Sequence, residues 1–229
     1  MTETEKKWNS YNEWNERHEG MSQLWVSKLV QWVKTSKLDL NNLSILDYGC
    51  GYFDLGIELG KLSKSVDGYD PFSAAIEKAK QRNPGKSFLT DKYSDLPKNK
   101  YDLIILNSVV QYMGNKESFN DFLIQAKSLL VTNKSSNILL SDLIPKDYSA
   151  NKDALWCIHY ANKNGFLAPM IIHLFRAITN FQKDAIFKID PNEVMELAMT
   201  NGLEFKLMKE NLTPSRYRYS CLLSLGRFV

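Results

Sequence analysis

The sequence predicts an α/β protein: a seven-stranded, mostly parallel Rossmann-like sheet with helices on both faces and an antiparallel last strand. Apolar runs alternate with amphipathic segments between residues 45 and 142. The first run ends in a turn with two glycines, Asp47-Tyr-Gly-Cys-Gly51. The last two runs, at about 203–208 and 219–225, flank a short loop and predict a hairpin, which makes one strand antiparallel. Alternation of strands and helices at this spacing is typical of a parallel sheet.

The first half of the sheet follows from turn and helix signals. Asp54 is placed to cap a helix that runs to about Ser63. A second strand, Ser65 to Tyr69, ends at Asp70, and Pro71 then opens a helix to about Arg82 because proline suits the first helical position.

The second half continues the same alternation. Its expected elements are a strand at 87–90, a strand at 101–107, a helix at about 116–130 and a strand at 138–142. Asp190 and Glu193 have the spacing of a capping box, and Pro191 takes the first position of the helix that they open. Gly202 is expected at the end of that helix.

Length and composition indicate one domain. The 229 residues, 44% hydrophobic, suit a single globular domain over residues 1–229. Within it, residues 1–40 are expected to form an N-terminal helical cover, and residues 145–189, which lack strand alternation, a helical lid over the substrate.

Charge and cysteine content limit the possible partners and the compartment. A net charge of +3 with scattered lysines gives no reason to expect a nucleic-acid partner. We interpret Arg216-Tyr217-Arg218 as charges on a strand edge. Three cysteines without metal-ligand spacing suggest a reducing compartment and no metal site. The N-terminus has no apolar leader, and the longest apolar stretch, 165–175, is too short for a membrane span, so we expect a cytoplasmic protein whose oligomeric state stays open.

The glycine turn favours a cationic nucleoside over a dinucleotide. A dinucleotide turn has a third glycine where this chain has Asp54, and a carboxylate there would repel a pyrophosphate. S-adenosylmethionine (SAM) has no phosphate and carries an ammonium and a sulfonium, which suit the acidic lip formed by Asp47. Asp70 can accept hydrogen bonds from both ribose hydroxyls.

The segment from Asp47 to Asp142 resembles the core of the class I SAM-dependent methyltransferases. Asp-Tyr-Gly-Cys-Gly-Tyr-Phe matches three of the four fixed positions in the family's acid-x-Gly-x-Gly-x-Gly turn, and Phe53 replaces the last glycine. The resemblance implies that SAM is converted to S-adenosylhomocysteine (SAH). It also implies that Asp70 binds the ribose and Asp91 the adenine amino group. The implied cofactor-binding residues of this core are Asp47, Gly49, Gly51, Asp70, Pro71, Asp91, Asn107 and Ser108.

The N-terminal segment from Trp8 to His18 has two interpretations. It is a packing helix that covers the sheet, or a lid in which Tyr11 and Trp14 face the nucleoside and Arg17 pairs with the methionine carboxylate.

The acceptor side is less specified. Methyl transfer depends mainly on positioning, and a base is needed only if the acceptor must lose a proton. Candidates for catalytic roles are His159, His173, Asp142 and Tyr112. Aromatic residues of the insert would form a small-molecule pocket, so we expect methylation of a small molecule, at oxygen in preference to nitrogen. The alternatives are a non-catalytic SAM-binding subunit, an RNA methyltransferase and, opposed by Asp54, a nicotinamide-dependent dehydrogenase.

Overall fold

The computed structural model describes residues 19–36, 39–132, 136–168, 170–171, 174 and 186–225. Among the residues expected at the site, Tyr11, Trp14, Arg17 and His173 lie outside these ranges. The proposed N-terminal lid is therefore not addressed by the structure.

One seven-stranded sheet forms the centre of the fold, in the order β3-β2-β1-β4-β5-β7-β6. All neighbouring strands are parallel except for β7, which runs antiparallel to both β5 and β6. The predicted fold class and terminal hairpin are thus confirmed. The strands are β1 (Ser44–Tyr48), β2 (Ser65–Tyr69), β3 (Leu89–Thr90), β4 (Leu103–Asn107), β5 (Ser136–Leu143), β6 (Glu204–Leu207) and β7 (Tyr219–Leu225).

Helices connect the strands. The α-helices are α1 (Glu19–Thr35), α2 (Asp54–Leu59), α3 (Ser73–Arg82), α4 (Lys116–Leu129), α5 (Ala150–Lys163) and α6 (Pro191–Thr200). Short 3₁₀ turns cover Leu40–Asn42, Tyr93–Asp95 and Val110–Tyr112. The predicted capping box is present at the start of α6.

Two helix starts differ from the prediction. Phe53, not Asp54, is the N-cap of α2, and Asp54 is the first helical residue. In α3 the N-cap is Phe72, so Pro71 precedes the helix instead of occupying its first position. The side chain of Asp70 accepts a hydrogen bond from the Phe72 backbone N–H at 3.0 Å, which explains the shift because the aspartate turn must close before the helix can begin.

Apolar side chains fill both faces of the sheet, as in other parallel sheets. One core joins the sheet to α4 and α6, with Tyr101 and Phe119 completely buried. The other joins the opposite face to α1, α2 and α3, with Leu29 and Phe53 completely buried. The two layers fix the strand ends, where the polar residues gather.

The region between β5 and α6 contains α5. This helix has a small core of its own, in which Cys157 and Ala161 meet Met170, and Trp25 of α1 packs against it. Whether the region acts as a lid remains a prediction. In the described part of the chain, no helix has the length and apolar character needed to cross a bilayer.

Candidate active site

The polar residues gather at the edge of the sheet where the parallel strands end. Asp47, Asn107 and Asp142 lie at or just before the carboxyl ends of their strands, and Asp70 lies directly after the end of β2. In open α/β sheets this edge forms the ligand-binding crevice. The sequence-predicted residues are therefore brought to the same side of the molecule.

The turn after β1 brings its backbone close to two neighbouring elements. The backbone N–H groups of Gly49 and Cys50 donate hydrogen bonds to the Tyr69 carbonyl, at 2.7 and 3.0 Å. Gly49 has φ +77°, and a Cβ there would lie 2.4 Å from Val109 Cγ2, so only glycine fits. Gly51 differs, because a Cβ there would meet nothing within 4 Å. The backbone at Gly51 therefore borders open space in which a ligand can approach it.

Phe53 preserves the path of the turn although it replaces a glycine. Its φ is 66°, in the left-handed region that a glycine would adopt. The ring points into the core and is completely buried. Its space exists because Gly56 and Gly68 have no side chains: a Cβ on either would lie 2.0 and 2.9 Å from ring atoms. The ring thus supports the turn from within the core and leaves the crevice open.

Asp47 is the most perturbed carboxylate of the turn. It is 3% exposed, and its Oδ2 atom has no hydrogen-bond partner among the described residues. Burial raises its pKa to about 7; a hydrogen bond from the Gly56 backbone opposes the shift, and the charges of Asp70 and Asp54 add to it. A cation placed here would stabilise the ionised form, whereas a phosphate would meet the carboxylates of Asp47 and Asp70.

Asp70 closes the same turn from the end of β2. Its Oδ2 accepts the Gly51 N–H at 2.9 Å and its Oδ1 accepts the Phe72 N–H at 3.0 Å. Burial raises the pKa of Asp70, and these two backbone bonds oppose the shift. Each carboxylate oxygen retains a further lone pair for a ligand hydroxyl.

The end of β4 contributes an amide and a hydroxyl. Asn107 Oδ1 is buried without a hydrogen-bond partner within the described ranges. Ser108 follows with φ 60° and donates its hydroxyl to Asp142 Oδ2 at 2.7 Å. Beyond β3, Asp91 is half-buried. Burial raises the pKa of Tyr69, and the negative charge of Asp91 adds to this shift. A buried amide oxygen without a donor is expected where a ligand supplies one.

Comparison with known proteins agrees with this geometry. Residues 46–133 match the family model described as a methyltransferase domain. The match covers less than half of the chain and, together with the glycine turn and the strand order, supports a class I SAM-dependent methyltransferase.

Solved structures of methyltransferases share the fold of this chain. Magnesium protoporphyrin IX methyltransferase from Synechocystis PCC 6803, with bound SAH, is 19% identical with a TM-score of 0.57, over 87% of this chain and 80% of its own. An amino pentose methyltransferase from Micromonospora echinaspora, with bound SAM, is 12% identical with a TM-score of 0.61, over 88% and 90%. A putative O-methyltransferase from Nostoc punctiforme PCC 73102 is 15% identical with a TM-score of 0.61, over 92% and 59%. No curated protein sequence is a recognisable relative of the chain.

The protein has a buried ionic cluster beside the ends of β4 and β5. Arg218 donates to Asp142 Oδ2 at 2.7 Å and to Asp153 Oδ2 at 3.2 Å. Thr213 donates to the other oxygen of Asp142 at 2.6 Å, and Tyr148 donates to Asp153 at 2.6 Å. The interpretation of Arg218 as a charge on a strand edge is therefore wrong: its side chain is 23% exposed and joins two buried carboxylates.

These contacts bear on the candidate catalytic residues. Asp142 accepts hydrogen bonds from Arg218, Thr213 and Ser108, so its arrangement fits a positioning role better than proton acceptance. His159 is exposed on α5, with its ring 5.9 Å from that of Trp156. Tyr112 is 47% exposed in the turn after β4.

Sequence reasoning missed Arg218 and Thr213 as members of the site. Arg218 lies 76 residues from Asp142 and 65 from Asp153 along the chain. A usable signal was present, because the predicted antiparallel β7 must begin where β5 ends, next to Asp142. The register of that pair places residues 213–218 at the crevice edge.

Proposed function

We propose that the protein transfers a methyl group from SAM to a small-molecule acceptor, at oxygen in preference to nitrogen. The observation that carries the proposal is the unpaired buried oxygen of Asp47 beside the open space at Gly51. That pair of features favours a ligand with a cationic group and no phosphate. The acidic turn argues against a nicotinamide dinucleotide for the same reason.

Each strand end has a part in holding the cofactor. Asp47 would pair with the ammonium, and the backbone of Gly49 and Gly51 would border the methionine part. Asp70 would accept the ribose hydroxyls, with Pro71 beside it, and Asp91 would accept the adenine amino group. When bound, SAM supplies a methyl group that is electrophilic because it is attached to a sulfonium. Asn107 and Ser108 would lie next to that group.

The chain's own contribution to the reaction is positioning. Reacting groups held in line gain most of their rate from orientation and from lost translational freedom. His159 and His173 are the proposed general bases if the acceptor must lose a proton, and Tyr112 is proposed to orient an acceptor hydroxyl. Asp142 would act indirectly, since it holds Ser108 through the 2.7 Å hydrogen bond.

The solved relatives support a small-molecule acceptor in general terms. Their acceptors, by name, include a magnesium porphyrin and an amino pentose. The two differ in size and chemistry, so they support the class of substrate and no single compound.

Calorimetry with SAH and NADH tests the cofactor assignment. We expect SAH to bind and NADH not to bind. Asp70→Ala should weaken SAH binding roughly tenfold to a hundredfold, because hydrogen bonds to a charged group contribute about 1.5–3 kcal/mol. Asp121→Ala, an exposed carboxylate on α4, is the matched control and should leave the affinity unchanged. Binding of NADH without SAH, or full SAH affinity in Asp70→Ala, would contradict the proposal.

A further inference from the structure

A group of basic side chains and aromatic rings links α1, α5 and the segment before β7. We name it the cationic aromatic cluster: Lys28, Trp156, His159, Tyr160, Arg216 and Tyr217. The Arg216 guanidinium lies 4.4 Å from the centre of the Trp156 ring and 5.0 Å from that of Tyr217. The Lys28 ammonium lies 5.4 Å from the centre of the Tyr160 ring, and the His159 ring is 5.9 Å from Trp156.

The register of the sheet places this cluster at the crevice edge. Tyr219, the first residue of β7, is paired with Leu143 at the end of β5. The segment that contains Arg216 is therefore at the edge where Asp47 and Asp70 end their strands. Trp156 is fixed against this segment, since its indole N–H donates to the Pro214 carbonyl at 2.8 Å.

The neighbouring carboxylates are occupied by a different arginine. Asp142 and Asp153 are both buried and both paired with Arg218. Arg216 is exposed and makes no ion pair with any carboxylate of the described ranges. Its guanidinium donates a 2.9 Å hydrogen bond to the Tyr217 hydroxyl. The guanidinium has five N–H donors, and one of its NH₂ groups bonds to Tyr217, so other N–H groups remain to donate to a ligand.

The two sides of the crevice thus have opposite charge. The β1 and β2 ends carry Asp47 and Asp70, whereas Asp54 of α2 is paired with Arg82 at 2.6 Å, and the far side, beyond β4, carries the cationic aromatic cluster. A planar guanidinium edge matches the two oxygens of a carboxylate or phosphate, and the rings offer faces for a flat body.

Resting on the proposed function, we propose that the cationic aromatic cluster binds an acidic acceptor: a planar, aromatic small molecule that carries a carboxylate or phosphate, recognised by Arg216. The acidic group of the acceptor would sit at Arg216, away from the carboxylates of the cofactor side. The cluster would thereby bind neutral analogues of the same shape more weakly than acidic ones.

Binding of simple probes tests this without knowledge of the acceptor. Benzoate, phenyl phosphate and neutral benzamide would be titrated into the SAH-loaded protein and into the free protein, by ligand-observed NMR. We expect one of the anions to bind with a millimolar dissociation constant that weakens as salt is added, and benzamide to bind roughly tenfold more weakly. Arg216→Gln should weaken anion binding roughly tenfold, and Arg216→Lys should restore part of it, because the charge returns without the planar fork.

Lys98→Gln makes the same change of charge in the exposed loop before β4, at the opposite edge of the sheet, and should leave anion binding unchanged. Equal binding of benzoate and benzamide, full anion affinity in Arg216→Gln, or no binding of either anion at about 10 mM would overturn the proposal. SAH affinity of Arg216→Gln, measured separately, should equal that of the unmodified protein. If the unmodified protein does not bind SAH, the proposed function is contradicted. If it binds SAH but neither anion, only the proposed role of the cationic aromatic cluster is contradicted.

Discussion

Asp47→Asn is expected to make the fold more stable at neutral pH while it weakens cofactor binding. Burial raises the pKa of Asp47 to about 7 from an ordinary value of 3.8. Between these values the folded chain holds a proton that the unfolded chain has released. The free energy of unfolding therefore falls as the pH rises, by about 1.4 kcal/mol per pH unit and about 4 kcal/mol over the whole interval. Asparagine cannot titrate, so most of this slope should disappear.

At high pH, Asp47→Asn should gain less than about 4 kcal/mol in the free energy of unfolding. Asparagine keeps an oxygen for the Gly56 backbone N–H, but its amide nitrogen would occupy the place of the unpartnered Oδ2. A buried polar group without a partner costs about 1–3 kcal/mol, so at pH 8 we expect Asp47→Asn to be about 1–3 kcal/mol more stable. The raised pKa of Asp70 leaves a residual slope.

Urea denaturation between pH 4.5 and 8.5, followed by circular dichroism, measures the slope. Calorimetry measures the binding side: SAH affinity should fall roughly tenfold or more, since an ionic hydrogen bond contributes about 1.5–3 kcal/mol. Near pH 7, SAH binding to the unmodified protein should release a proton from Asp47, which is visible as a dependence of the heat on the buffer. Glu77→Gln, an exposed carboxylate on α3, is the control. A slope that persists unchanged in Asp47→Asn, together with unaltered SAH affinity, would refute the reasoning.

Variants at Phe53, at the two arginines Arg216 and Arg218, and at His159 test the support of the site and the proposed base. Phe53→Ala should lower the free energy of unfolding by about 3–5 kcal/mol because the ring is completely buried. Phe53→Gly should recover about 1 kcal/mol of that loss, because glycine adopts the left-handed φ of this position without strain. Urea denaturation ranks the two variants, and equal stability would argue against backbone strain at residue 53. Arg218→Met should lower the free energy of unfolding by about 3–5 kcal/mol, because it leaves two buried carboxylates without their cation. Arg216→Met, at an exposed residue, should lower it by under about 1 kcal/mol. Equal losses in the two variants would contradict the buried ion pairs of Arg218. His159→Ala should keep the stability within about 0.5 kcal/mol and lower turnover of an identified acceptor about a hundredfold; full turnover would remove it as the base.

The strand and helix pattern was predictable because it depends on local signals. The strand Ser65–Tyr69 and the capping box at Asp190 follow from apolar runs and spacing alone, and both appear as predicted. Phe53 shows the limit of such signals. A glycine was expected for the turn, yet the space for the ring comes from Gly68, in the next strand. Only the packing of β2 against the turn reveals that the ring has somewhere to go.

Long-range pairing explains the rest of what was missed. Arg218 and Asp153 are 65 residues apart, and neither stands in a motif. Charges close in sequence, as in Arg216-Tyr217-Arg218, look equivalent. The bend at residues 216–218, before β7 begins, separates them, so that Arg218 joins two buried carboxylates and Arg216 lies over the Trp156 ring at the surface. Composition cannot distinguish the two arginines, although register and burial can.

Destabilising features concentrate at the carboxyl edge of the sheet. Three residues there other than glycine, Phe53, Ser108 and Asp142, have positive φ, which costs about 1–2 kcal/mol each. The burial of Asp47 adds to this cost. Elsewhere in the described chain only one further non-glycine residue, Asn99, has a positive φ, and asparagine tolerates it best. A fold selected for stability alone would place glycine or an apolar residue at these positions. The side chains of Ser108 and Asp142 bond each other instead, and this fixes where β4 ends beside β5. The strain is retained because it holds these groups in fixed positions, and a ligand site binds best when its groups are already in position.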